Sequence, residues 1–127
     1  MTALAFSPGE VIDSQTLAAS VNTNPVVVRR LLLALRRPGL IETFTGKHGG
    51  ARLRKNPREI SLVDIYDAVE PRPVIPVNER KALRKCRVSC NMKAIMSRVA
   101  ESTEAAVRKH LRGITLAQLV RRVRSAG

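Results

Sequence analysis

The sequence predicts a mainly α fold carrying one small β-hairpin, and three observations predict it. Aromatic residues make up only 2% of the chain, Phe6, Phe44 and Tyr66 with no Trp, so any core must be assembled from Leu, Val, Ile, Ala and Met. Apolar residues recur at spacings of three and four along most of the chain, which is the period of a helix. The exception is 40–54, where two short extended runs flank a glycine-rich turn.

Each element has a local cause. Met1 to Phe6 is mostly apolar but is halted by Ser7, Pro8 and Gly9. Asp13 and Ser14 are capping types, and the segment to Val21 sets Leu17, Ala18 and Val21 at helical spacing. Asn22, Thr23 and Asn24 form a polar break. Pro25 then takes the first position of a second helix, capped by Asn24 or Thr23 and expected to reach about Arg37 before Pro38 and Gly39 end it. Stepping by 100° groups Val28, Leu31, Leu32 and Leu35 on a core stripe. Val26, Arg30, Leu33 and Arg37 fall opposite, flanked by Arg29 and Arg36.

Leu40 to Thr45 and Ala51 to Arg54 read as two strands around the turn Gly46 to Gly50, which carries Lys47 and His48. Gly49 and Gly50 read as hairpin glycines that tolerate positive φ. Ser61 with Asp64 forms a capping-box pattern, and Leu62, Ile65, Tyr66 and Val69 give the helix an apolar face. The prolines Pro71, Pro73 and Pro76 mark a boundary, followed by a basic linker. From Asn91 to Leu111, Met92, Ile95, Met96, Val99, Ala106, Val107 and Leu111 form one long stripe. Thr115 with Gln118 opens a last helix that ends near Arg124. The expected organisation is a first domain over 1–70, a basic linker over 71–90 and a helical dimerisation region over 91–127.

The chain has 127 residues, enough for one modest domain with an appended helical element. Its 23 Lys and Arg against ten Asp and Glu leave a formal charge of +13, which self-repels unless an anionic partner is near. Nucleic acid is the first candidate. A membrane is not expected, because the longest purely apolar run is Leu31 to Leu35 and no secretory signal pattern opens the chain. A cytoplasmic protein is expected, and two cysteines, Cys86 and Cys90, agree with a reducing compartment. No Ser, His and Asp grouping, paired carboxylates or phosphate-cradling loop is visible, so no enzyme is expected.

Helix, break, helix and basic hairpin together spell a winged helix-turn-helix, in which the second helix enters a major groove and the hairpin reaches the backbone or minor groove. Taken alone, the arginine face of the second helix is equally well read as a solvated charged surface.

The runs Val21-Asn22-Thr23-Asn24-Pro25-Val26-Val27-Val28-Arg29-Arg30, Pro38-Gly39-Leu40-Ile41, Gly46 through Gly49-Gly50, and Ile60 to Val69 resemble the Rrf-two family of bacterial winged-helix transcription regulators, and within it the YwnA-like branch. The resemblance is dense over Gly9 to Glu70 and looser beyond. It implies a homodimer on a pseudo-palindromic double-stranded DNA operator, usually acting as a repressor, with an iron-sulfur, nitric-oxide, redox or cysteine-metabolism signal in some members. DNA contact is expected from Thr23, Asn24, Pro25, Val26, Arg29 and Arg30 at the helix start and from Lys47, His48 and Arg52 in the wing. The resemblance supports all of these positions, whereas helix stepping supports only those that face outward. Dimerisation is expected through Met92, Ile95, Met96, Val99 and Val107, because a helix of about 20 residues is roughly 30 Å long and outreaches one small domain.

Two departures from the family stand out. A helix of a dozen or more residues normally precedes the position of Ser7, and here Met1 to Phe6 correspond to it. An aromatic residue often follows the paired glycines, where this chain has Ala51, so a looser wing is expected. Cluster-binding members carry three cysteines before the dimerisation helix and a fourth ligand elsewhere. With only Cys86 and Cys90, no iron-sulfur cofactor is expected, and His48 and His110 are too distant in sequence to suggest a zinc site. Arg84, Lys85, Arg87 and Lys93 surround the two thiols, which leaves two readings open: a redox switch or a pair of small hydrophobes. A non-specific basic nucleic-acid binder remains the alternative in another class.

Overall fold

The computed structural model describes residues 1–69 and 72–127. Glu70 and Pro71, on which the expected boundary and the first of the three prolines fall, lie outside the described residues. The order is α1 (Thr2–Phe6), α2 (Ser14–Ser20), α3 (Pro25–Arg36), β1 (Ile41–Phe44), β2 (Gly50–Leu53), a single 3₁₀ turn (Pro57–Glu59), α4 (Leu62–Ala68), α5 (Arg87–Arg112) and α6 (Leu116–Ala126).

The caps set the helix starts. Asp13 accepts from the Thr16 amide at 2.7 Å and opens α2. Asn24 accepts from the Val26 amide at 2.8 Å, with Pro25 at the first helical position of α3. Complete capping boxes open α4, from Ser61 and Asp64, and α6, from Thr115 and Gln118. Between α2 and α3 the chain reverses at Asn22, whose φ of 52° is a left-handed conformation that asparagine tolerates. β1 and β2 pair antiparallel with Ile41 opposite Leu53 and Phe44 opposite Gly50.

Leu4, Leu40, Ile41, Ile60 and Leu116 are the largest fully buried side chains. They bring both ends of the chain into one core with Leu17, Ala18, Val28, Leu35, Ala51 and Val120. α6 therefore folds back onto the first module, although it lies in the segment assigned on sequence to dimerisation. A short bridge between Ser61 and Thr115 pins it there, with the Leu62 amide on the Ile114 carbonyl and the Leu116 amide on the Ile60 carbonyl, both at 2.8 Å.

Several expectations change. Val21 is 64% exposed and Leu31 41% exposed, because α1, α2, α3 and α6 leave a cleft there, lined also by Phe6 and Val123. In α4 Val63 is the buried residue, while Ile65 and Val69 of the expected apolar face are partly buried against the core. The wing is not loose: Ala51 is fully buried and trades two 2.9 Å backbone bonds with Ile12, so a third extended segment seals the hairpin. No glycine-and-hydrophobic pattern announces such an isolated bridge. α5 starts at Arg87, four residues before the expected Asn91. Its cap is the Cys86 sulfur, which accepts from the Ser89 amide at 3.4 Å, and cysteine is not among the residues that signal a helix start.

Candidate nucleic-acid interface

α3 packs into the core along Val28 and Leu35, with Leu32 partly buried. That orientation turns Val26, Arg29, Arg30, Leu33, Arg36 and Arg37 outward. Val26 is 65% exposed in the first turn, where a small apolar group can meet a thymine methyl. Thr23, Asn24 and the amide end of α3 lie at the same exposed corner, and an amide end attracts phosphate. Arg29 donates through Nε to the Ser14 hydroxyl at 3.3 Å, tying the start of α2 to the outer face of α3.

The wing stands beside this helix. Arg29, Arg36, Phe44, Lys47 and Gln15 line one open groove between α3 and the hairpin. Lys47 and His48 occupy the exposed turn. Gly49 closes that turn, and a Cβ there would meet the Phe44 carbonyl oxygen at 2.5 Å. Arg52 is differently placed. It pairs across the strands with Glu42 at 2.5 Å and lies 5.0 Å from the centre of the Phe44 ring, so its guanidinium braces the wing.

The structure thus brings Arg29 and Lys47 to one groove, with Thr23 to Val26 and Arg30 on the same outward side of α3, and gives Arg52 intramolecular partners while leaving its side chain 39% exposed. Ser14, Gln15 and Arg36 join the groove and were not anticipated as site residues. Arg36 was findable, since it lies seven residues after Arg29 and therefore on the same helix face. Gln15 carried no signal of its own.

The dimerisation candidates lie on α5, where no residue is buried. Met92, Ile95 and Val99 are exposed together, while Met96 and Val107 are half-buried on the flank of that stripe. α5 is joined to α4 by polar contacts: Tyr66 donates to Glu104 at 2.8 Å, and Arg108 binds both carboxylate oxygens of Asp67. The bond to Glu104 raises the Tyr66 hydroxyl above its usual range, and Arg108 holds the Asp67 carboxyl below its own.

Cys86 and Cys90 are both exposed, one helical turn apart, and Cys90 donates to the Leu83 carbonyl at 3.3 Å. Two thiols do not supply the ligand set of an iron-sulfur cluster, and among the described residues no group of three His, Cys, Asp or Glu is placed to hold a metal. The residues present do not fit a cluster. Among the described residues no helix is long and apolar enough to cross a membrane.

A capped second helix with a basic outer face, set beside a two-stranded hairpin, defines the winged helix-turn-helix class of DNA-binding proteins. The family profile described as "Rrf2: Iron-dependent Transcriptional regulator" matches residues 1–122, and the chain belongs to this family of transcriptional regulators. It is 33% identical over 106 residues to YwnA of Bacillus subtilis, which is named as an HTH-type transcriptional regulator, covering 84% of this chain and 79% of the relative. A crystal structure of a transcriptional regulator from Lactobacillus plantarum superposes with a TM-score of 0.75 at 22% identity, covering 94% of this chain and 88% of the other. The oxidized form of Staphylococcus aureus CymR gives 0.60 at 27% identity, with 94% and 85% covered.

Proposed function

We propose that this regulator is a homodimeric, sequence-specific repressor. The observation that carries the reading is the exposed N-terminal part of α3, with Val26 and Arg30 outward and Arg29 sharing one groove with Lys47 of the wing turn. Thr23, Asn24, Pro25, Val26, Arg29 and Arg30 meet base edges and adjoining phosphates, Lys47 and His48 meet the backbone or minor groove, and Arg52 holds the hairpin in shape. The exposed Met92, Ile95 and Val99 stripe, flanked by Met96 and Val107, pairs with its copy, so that two recognition helices address two half-sites one helical turn apart. The bound dimer occludes polymerase.

Selection of bound duplexes from a random pool tests this reading. The expected result is a pseudo-palindromic consensus that survives a large excess of unrelated duplex. Enrichment of no consensus, with binding lost in proportion to competitor, would leave a non-specific basic coat.

A second reading concerns the signal. It is favoured by the exposure of both cysteines at the start of α5 and by the existence of an oxidized form of the neighbour CymR. Diamide takes two hydrogens from Cys86 and a second thiol, on another copy of the chain or in solution, and joins them as a disulfide; the new bond draws the Cys86 sulfur away from the Ser89 amide that it caps and loosens the start of α5. Diamide is expected to lower operator affinity in the wild type and to leave a Cys86→Ser, Cys90→Ser variant unchanged. An identical response in both would make these thiols structural.

A further inference from the structure

Between segment 73–77 and α5 lies an open cavity of about 760 Å³, within the size range of small-molecule sites. Ile75 and Pro76 form one wall; Ala100, Glu101 and Glu104 form the other. Glu101 and Glu104 are three residues apart, so both carboxylates stand on one helix face. By helix stepping this face is turned away from the stripe of Met92, Ile95 and Val99. Dimerisation and occupancy of the cavity therefore do not compete for the same side of α5.

The charge of this cavity is opposite to that of the chain. The protein carries +13 overall, yet Arg108, the one cation lining the cavity among the described residues, is already held by both oxygens of Asp67. Glu79 at the rim is met by Lys93 at 3.3 Å. Glu104 receives the Tyr66 hydroxyl on Oε1, while its Oε2 is shielded from solvent and has no hydrogen-bond partner among the described residues. A shielded, unmatched carboxylate oxygen is costly and calls for a donor. As it stands Oε2 is closed off from the cavity, so meeting a ligand requires the carboxyl to turn about its soft last torsion, a turn that also shifts the Oε1 bond from Tyr66.

We propose that this cavity binds a small organic cation, an ammonium group on an apolar body. The ammonium meets Glu104 and Glu101, and the body packs on Ile75, Pro76 and Ala100. Because Glu104 and Arg108 are also the groups that α4 grips through Tyr66 and Asp67, occupancy alters the joint between α4 and α5. The consequence for operator binding rests on the repressor reading; the site itself does not.

Calorimetric titration of the full chain without DNA tests the site, with protonated 2-phenylethylamine and its neutral isostere 2-phenylethanol as probes. The expected result is saturable binding of one amine per chain, about tenfold or more tighter than the alcohol. Glu104→Gln keeps an acceptor for Tyr66 and is expected to weaken the amine about tenfold while leaving the alcohol unchanged, and Glu59→Gln, outside the cavity, is expected to change neither. Absence of saturable amine binding, equal affinity for amine and alcohol in the wild type, or undiminished amine binding in Glu104→Gln would overturn the proposal. Since no DNA is present, such a failure leaves the repressor reading standing, and a failed operator selection leaves the site standing.

Discussion

Replacing Gly50 by alanine is expected to unseat the wing, and the cost can be worked from the backbone around it. A Cβ at this position would lie 2.3 Å from the Ile12 carbonyl oxygen, 2.5 Å from its carbon and 2.8 Å from the Asp13 nitrogen. All three are backbone atoms, so no side chain can swing aside. Gly50 also sits at a φ of +154°, which side-chain-bearing residues rarely adopt. Relief requires parting Ile12 from Ala51, losing two 2.9 Å bonds at about 0.5–1.5 kcal/mol each, with backbone strain of about 1–3 kcal/mol added. The sum is about 2–6 kcal/mol, a large share of the roughly 5–15 kcal/mol that holds a domain folded. Gly46→Ala is the control: its φ is +95° but nothing lies within 4 Å of the added carbon, so only backbone strain of about 1–2 kcal/mol applies. At a urea slope of about 2 kcal/mol per M, Gly50→Ala should lower the unfolding midpoint by about 1–3 M and Gly46→Ala by about 0.5–1 M. Equal midpoints for the two variants would refute the view that the Ile12 strand clamps the hairpin.

Arg30→Ala is expected to cost roughly 1–3 kcal/mol on the selected operator and less on random duplex, whereas Lys47→Ala should weaken both alike and reduce the salt slope by about one; identical losses in fluorescence anisotropy titrations would dissolve that division of labour. Ile95→Glu with Val99→Glu should yield a monomer by light scattering, and a persistent dimer would move the interface elsewhere. Asp67 is held below its ordinary value of 3.8 chiefly by its hydrogen bonds from Arg108, so its contribution is present above that value and is lost as pH falls below it. Asp67→Asn should accordingly flatten the acid limb of stability measured by urea midpoints, and an unchanged acid limb would show that the pair contributes nothing.

Much of the fold was legible because its helix starts are encoded by neighbours in sequence. Asp13, Asn24 with Pro25, Ser61 with Asp64, and Thr115 with Gln118 each cap the helix they announce. What stayed hidden depends on distant partners. The start of α5 rests on a sulfur cap and on the Ser89 hydroxyl accepting from the Leu83 amide at 3.0 Å. The tightness of the wing rests on Ile12, some forty residues away in the chain. Leu31 has the right spacing for the core but meets a cleft. For the site, stepping along α3 separated outward arginines from inward leucines, yet it could not reveal that Arg52 is occupied by Glu42 and Phe44, since that depends on strand register.

The bridge between Ser61 and Thr115 makes α5 a lever with one end bolted down. Its 26 residues span about 39 Å at 1.5 Å per residue. Its C-terminal end is fastened to the module that carries α3, while the start near Cys86 stands about seven turns away. A pivot of about 5° at the fastened end would sweep the far end through about 3 Å. In the proposed two-fold assembly each protomer would contribute such an arm. Displacements of that order would then separate or converge the paired recognition helices, against a half-site spacing of roughly 34–36 Å that duplex geometry leaves little room to change.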